Sequence, residues 1–137
     1  MKKKFRSGCP ISSSLDVVGD KWSLLIIRDM LVKQKKTFKE ISDSDEKIAP
    51  SILSARLKLL ESYKLIFKTK APENKKENIY LLTEKGIRLT PIIIEFSLWG
   101  NSNMREFNET DNIEGLNLDK TLIIQSIQDS YNTILLN

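Results

Sequence analysis

Few residues in this 137-residue chain can do covalent or acid–base chemistry: it has one cysteine, Cys9, and no histidine. Without histidine it lacks the commonest general base and the commonest zinc ligand. A lone thiol has no internal disulfide partner, which favours a cytosolic (cytoplasmic) setting. No GxxxxGK[ST] phosphate loop occurs, and no carboxylate pair has ligand spacing. Asp43, Asp45 and Glu46 are acidic neighbours, but the glycine and distal glutamate of a calcium loop are missing. These residues predict a protein that is not an enzyme and that uses no cofactor or metal.

What remains is charge, and it is unevenly placed. Residues 33–88 hold 14 Lys/Arg against 8 Asp/Glu, whereas residues 104–137 hold 2 against 6, within an overall formal charge of +4. A basic middle beside an acidic end points to a polyanionic partner for the middle alone. Lys2, Lys3, Lys4 and Arg6 read either as a solvated tail or as phosphate contacts. No apolar stretch follows them, so they do not open a secretory signal. No apolar run approaches the roughly 18–20 residues that span a bilayer, so no membrane partner is expected.

The elements that would position these charges follow from periodicity. A short amphipathic piece is expected over Ser14 to Gly19, with Leu15 and Val18 on one face. A helix apolar almost all round, hence buried, is expected over Lys21 to Val32. Thr37-Phe38-Lys39-Glu40 matches a capping box and starts a short helix that Ser42-Asp43-Ser44-Asp45 ends. Pro50 suits the first position of the next helix, which runs to about Tyr63. Leu65 to Lys70 and Asn78 to Leu82 read as two strands around a charged loop, Pro72 to Glu77. Thr83 caps a long closing helix with Leu89, Ile92, Ile93, Phe96 and Trp99 as its apolar stripe. Pro91 inside that helix predicts a kink or a break. A last amphipathic helix is expected over Leu118 to Leu135.

Two helices some seven residues apart, followed by a basic hairpin, fit a helix-turn-helix with a wing. Such a unit lays its second helix in the major groove while the first helix and the wing hold the backbone. At about 100° per residue, Pro50 to Tyr63 carries an apolar arc of Ile52, Leu53, Leu57, Leu59, Leu60 and Tyr63. The opposite arc holds Ser51, Ser54, Ala55, Lys58, Glu61 and Ser62; short side chains there let the backbone approach base edges. The candidate DNA-binding residues are Thr37, Lys39, Pro50, Ser51, Ser54, Ala55, Arg56 and Lys58, with Lys68, Lys70, Lys75 and Lys76 in the wing. Arg56 falls inside the apolar arc and has two readings. It either bonds a structural acidic or carbonyl partner, or lays its stem along the helix with its head on a phosphate. The wing lysines divide likewise between phosphate contact and plain solvation.

Cys9-Pro10, Gly19-Asp20-Lys21-Trp22, Phe38-Lys39-Glu40-Ile41, Leu53 to Glu61, Tyr80 to Gly86 and Trp99-Gly100 occur in order. This pattern resembles the HxlR family of bacterial winged helix-turn-helix regulators, relatives of the MarR group, over about residues 9–104. The resemblance implies a mainly α fold with a small β-hairpin wing (α+β). It implies a homodimer built through N- and C-terminal helices, an operator of two half-sites, and Pro91 as a kink within one helix. It also places Cys9 where several such regulators carry a thiol that senses electrophiles or disulfide stress. Nearby Lys2, Lys3, Lys4 and Arg6 would lower a thiol's pKa if packed close. The other reading of Cys9 is a buried small apolar group. With no second cysteine, a disulfide must join subunits or capture a small thiol. Ala49 stands where a Ser or Thr cap is expected, weakening the Pro50 helix start by about 1 kcal/mol.

The resulting organisation is a DNA-binding domain over residues 9–104 and a helical extension over 105–137, read as added dimer surface. The expected partners are double-stranded DNA, a second copy of the chain, and a small electrophile or thiol at Cys9. The alternative is a winged-helix module that binds protein rather than DNA. An uncharged wing and bulky residues on the open arc would mark it, and the sequence has neither.

Overall fold

The most apolar helix in the sequence is also the most buried. Ser23–Val32 (α2) sinks Ile26, Ile27, Met30 and Leu31 to 4% exposure or less. The computed structural model describes residues 4–109 and 119–137. Lys2, Lys3 and Leu118 lie outside the described residues. In chain order the other elements are α1 (Pro10–Val18), α3 (Phe38–Ser42), α4 (Pro50–Ser62), β1 (Ile66–Lys70), β2 (Asn78–Leu82), α5 (Glu84–Ile87), α6 (Thr90–Asn103) and α7 (Lys120–Leu136). The two strands form one antiparallel hairpin, with Ile66 opposite Leu82 and Lys70 opposite Asn78. The fold is the mainly helical winged arrangement that the sequence predicts.

Several boundaries differ from expectation for identifiable reasons. α1 begins at Pro10 rather than Ser14, because Cys9 is extended (φ −72, ψ 125) and Pro10 takes the first helical position. Its Leu15 is 54% exposed and so does not face a core. α2 starts at Ser23 rather than Lys21, because the Asp20 carboxylate accepts from the Trp22 and Ser23 amides at 3.0 Å each and closes the first turn. β1 starts at Ile66, one residue after Leu65, whose carbonyl is taken by Thr83.

The largest correction is at Pro91. The closing helix is neither one element nor kinked: α5 stops at Ile87 and α6 opens at Thr90, with Pro91 in its first turn. A proline ring clashes with the carbonyl four residues back, which is that of Ile87. That carbonyl is released from the helix and accepts instead from the Thr90 hydroxyl at 2.6 Å and the Gln128 side-chain amide at 3.4 Å. The stripe expected on this helix also divides. Ile93 is buried, but Ile92, Phe96 and Trp99 are 44%, 61% and 58% exposed.

Contacts cluster into two units, one up to Gly86 and one from Ile87 onward. In the first, α4 packs on β1, and α2 on α3 and β2, with Ile41, Leu53, Leu57, Leu60, Ile66 and Leu82 nearly inaccessible. Thr83 ties the end of the hairpin to its start: its hydroxyl donates to the Lys64 carbonyl at 2.6 Å and accepts from the Gly86 amide at 3.2 Å. Gly86 is required there, since a Cβ would lie 2.2 Å from the Leu65 carbonyl oxygen. In the second unit α6 packs against α7, an ion pair joins Glu95 to Lys120, and Tyr131 is buried. Asp119 caps α7, accepting from the Thr121 and Leu122 amides at 3.0 and 3.3 Å. No helix among the described residues is long and apolar enough to cross a membrane.

Candidate nucleic-acid interface

The α3–α4 pair is built from local rules. Thr37 is extended (φ −91, ψ 158); its hydroxyl accepts from the Glu40 amide at 3.0 Å, and Glu40 reaches back to the Thr37 amide at 3.0 Å. The capping box read in the sequence is therefore present. The Glu40 carboxyl also takes the Lys36 amide at 3.2 Å. The Thr37 backbone bond, outweighing partial burial, holds Glu40 below the usual carboxylate range. α4 begins at Pro50 with no side-chain cap from Ala49. Leu53, Leu57 and Leu60 form its buried line. Ser51, Ala55, Lys58 and Ser62 are exposed on the far side, with Ser54 half-buried beside them.

Ile52 departs from the apolar arc assigned to it, being 40% exposed. It lies about 100° from the buried line, at the flank rather than the centre of the inward face. In the first turn, where the core ends, that flank is uncovered. Sequence reasoning therefore missed Ile52 as part of the outward surface; its position one residue after Ser51 was the available signal.

Arg56 meets a carboxylate. Its guanidinium lies 3.6 Å from Asp20, and its side chain is 30% exposed. Burial by itself would raise the Asp20 carboxyl. It is outweighed by bonds from the Ser23 hydroxyl and the Trp22 and Ser23 amides, and by the Arg56 charge, so Asp20 stays below its ordinary value. Asp20 thus closes the first turn of α2 and pairs with α4, a double use that the sequence did not reveal.

The wing continues from α4 through Lys64, whose left-handed φ of 64° makes the turn into β1. Lys68 and Lys70 are exposed and share a strand face, across from Tyr80 and Asn78. Asn74 shapes the loop by accepting from the Lys76 amide at 3.1 Å and the Glu77 amide at 2.9 Å, leaving Lys75 and Lys76 exposed at the tip. The Tyr80 amide donates to the Lys36 carbonyl at 2.7 Å, fixing the wing to the α2–α3 connector. Lys39 is exposed on α3. Helix, connector and wing together present small polar groups with cations on either side, a surface suited to a phosphate-lined groove.

The match to known sequences decides the family: residues 17–108 match HxlR-like helix-turn-helix proteins. The chain belongs to the HxlR-like helix-turn-helix family. It is similar to the HTH-type transcriptional regulator YodB of Bacillus subtilis (strain 168), 35% identical over 94 residues, 68% of this chain and 83% of YodB. The structure of reduced YodB superposes with TM-score 0.57 at 31% identity, covering 77% of this chain and 100% of that one. The candidate transcription factor PA1607 gives TM-score 0.70 at 32% identity, covering 78% of this chain and 73% of its own. The redox regulator HypR, in its oxidised form, gives 0.59 at 31%, covering 69% and 97%. This HxlR-family chain is accordingly a DNA-binding transcriptional regulator, and the protein-docking alternative is set aside.

Cys9 is exposed at the entry to α1, which corrects the reading of a buried apolar group. Arg6 does not stand free beside it, since its guanidinium is paired with Asp16. No cluster of metal-ligating side chains occurs among the described residues.

Proposed function

We propose that the chain acts as a homodimer placing two copies of α4 in successive major grooves, about 34 Å apart, over an inverted-repeat operator. The exposed, small-residue face of α4 carries this reading. Ser51, Ser54, Ala55 and Lys58 address base edges and adjoining phosphates, and Ile52 offers an apolar contact to a thymine methyl. Pro50, Thr37 and Lys39 lie against the backbone, and Lys68, Lys70, Lys75 and Lys76 reach along the flanking duplex. Arg56 is assigned to holding α4 through Asp20. Uncovered apolar side chains on α1 (Ile11, 72% exposed; Leu15) and, separately, on α6 (Ile92, Phe96, Trp99) support self-association, and the extension over 105–137 is assigned to it as well. Titrating promoter duplex at increasing salt tests the DNA contact. Affinity falls steeply, and each wing lysine replaced by alanine lowers the log–log slope by about 1. Binding indifferent to salt rules the reading out.

Cys9 is the reacting thiol in this proposal. It supplies an accessible sulfur, and relatives such as HypR are redox regulators. Quinone or diamide treatment changes operator affinity in the wild type and leaves Cys9→Ser unmoved. An equal response from both proteins removes Cys9 from the mechanism.

A further inference from the structure

A carboxylate sits where an apolar side chain would be expected. Asp29 lies on the buried face of α2 at 2% exposure, and an unpaired charge there would be costly. Its two oxygens take different cations: Arg28 Nε donates to Oδ1 at 2.9 Å, and Lys35 Nζ to Oδ2 at 3.2 Å. Both cations then continue outward. Arg28 grips Glu46 through two bonds of 2.8 and 3.3 Å, and Lys35 Nζ donates to the Asp43 carbonyl at 2.7 Å. The Arg28 bond, outweighing partial burial, keeps the Glu46 carboxyl below its ordinary range.

Asp43 ends α3, and Glu46 precedes Pro50 by one turn of chain, so both outer contacts fall on the connector between α3 and α4. The connector's other restraints are local: Ile48 is its one buried residue, the Lys47 amide donates to the Ser44 carbonyl at 3.1 Å, and Lys47 is left-handed at φ 57°. The core leucines and the Arg56–Asp20 pair hold the body of α4, and the connector adds a constraint at its N-terminal end. The main chain of Asp29 also accepts from the Lys33 and Lys35 amides at 3.1 and 3.3 Å, so the same residue shapes the entry to α3.

We propose that Asp29 is a positioning residue for DNA recognition: through Arg28–Glu46 and Lys35–Asp43 it fixes the α3–α4 turn, and with it the orientation of α4 in the groove. This rests on the reading of α4 as the groove helix. Losing the network misaims α4 and removes sequence preference, whereas phosphate attraction by the lysines persists.

The test uses the full chain with two probes: duplexes enriched by the wild-type protein from a random pool, and an unselected random duplex of equal length. Asp29→Asn lowers the preference for selected over random duplex by about tenfold, with random-duplex affinity and salt slope held. Glu46→Gln, changing a partly exposed group at the network's rim, lowers the preference by about threefold and remains informative if Asp29→Asn does not fold. Where both fold, the double variant loses no more than Asp29→Asn, because both act through one network. Unchanged preference in Glu46→Gln, additive losses, or a fall in both probes together overturns the inference. Ala55→Asp, run in parallel, separates the two levels. If it too leaves selected-duplex binding intact, the α4 reading fails. If it abolishes binding while the network variants behave as wild type, only the role of Asp29 fails.

Discussion

α4 and α6 are similar in length and each leaves one face to solvent, but the faces differ in kind. That of α4 is small and polar, with Ser51, Ala55 and Lys58, and cationic neighbours on α3 and the wing. That of α6 is large and apolar, with Ile92, Phe96 and Trp99 lining an open depression together with Pro91 and Glu95. A hydrated, charged duplex is met by side chains that let the backbone come near. Apolar rings at more than half exposure are instead suited to burial against another protein surface. Exposure alone says only that a face is free; its chemistry indicates what covers it.

Exchanging the character of the two faces gives the largest expected effects. Ala55→Asp puts a carboxylate where phosphates crowd, and operator affinity falls about a hundredfold while thermal stability and oligomeric state hold. Phe96→Glu/Trp99→Glu does the converse. For the proposed dimer, the dissociation constant in sedimentation rises about a hundredfold or more, inverted-repeat binding collapses, and weak half-site binding survives. A monomeric Ala55→Asp, or an α6 variant that loses half-site binding as well, would break the division of labour between the helices.

What the sequence revealed and what it hid divide along the same physical line. Features written in neighbouring residues were legible. The Thr37–Glu40 capping box, Pro50 at a helix start and the strand Asn78–Leu82 each follow from local rules, and all are present. The exposed arc of α4 was legible for Ser51, Ala55 and Lys58 because a helical wheel needs nothing beyond periodicity. Ile52 was placed on the inward arc, and the stripe with Phe96 and Trp99 was read without its exposure, because a wheel separates apolar from polar faces but does not say where the core ends. Pro91 permitted a kink or a break. The freed Ile87 carbonyl is taken by the Thr90 hydroxyl nearby and by Gln128, 41 positions away, and the second of these partners was out of reach of local rules. The charge networks were invisible for the same reason. Asp29 reads as an interruption of an apolar helix, and the Glu46 that its Arg28 neighbour holds is 18 residues beyond.

The smallest predicted effect concerns the helix starts. α7 has Asp119 accepting from its first amides, α3 has its capping box, and α4 has Ala49 with no cap at all. Ala49 is already extended (φ −66, ψ 141), the conformation a capping serine adopts, so Ala49→Ser requires no backbone change. The added hydroxyl accepts from an amide in the first turn and stabilises the domain by about 1 kcal/mol, read as a higher denaturation midpoint. If those first-turn amides of α4 meet an operator phosphate in the complex, the same hydroxyl competes for them, and affinity drops by about two- to threefold as stability rises. A gain in both stability and affinity would show that the start of α4 stands clear of the backbone. The missing cap would then reflect no demand from DNA, and the polar character of α4 would matter only along its length.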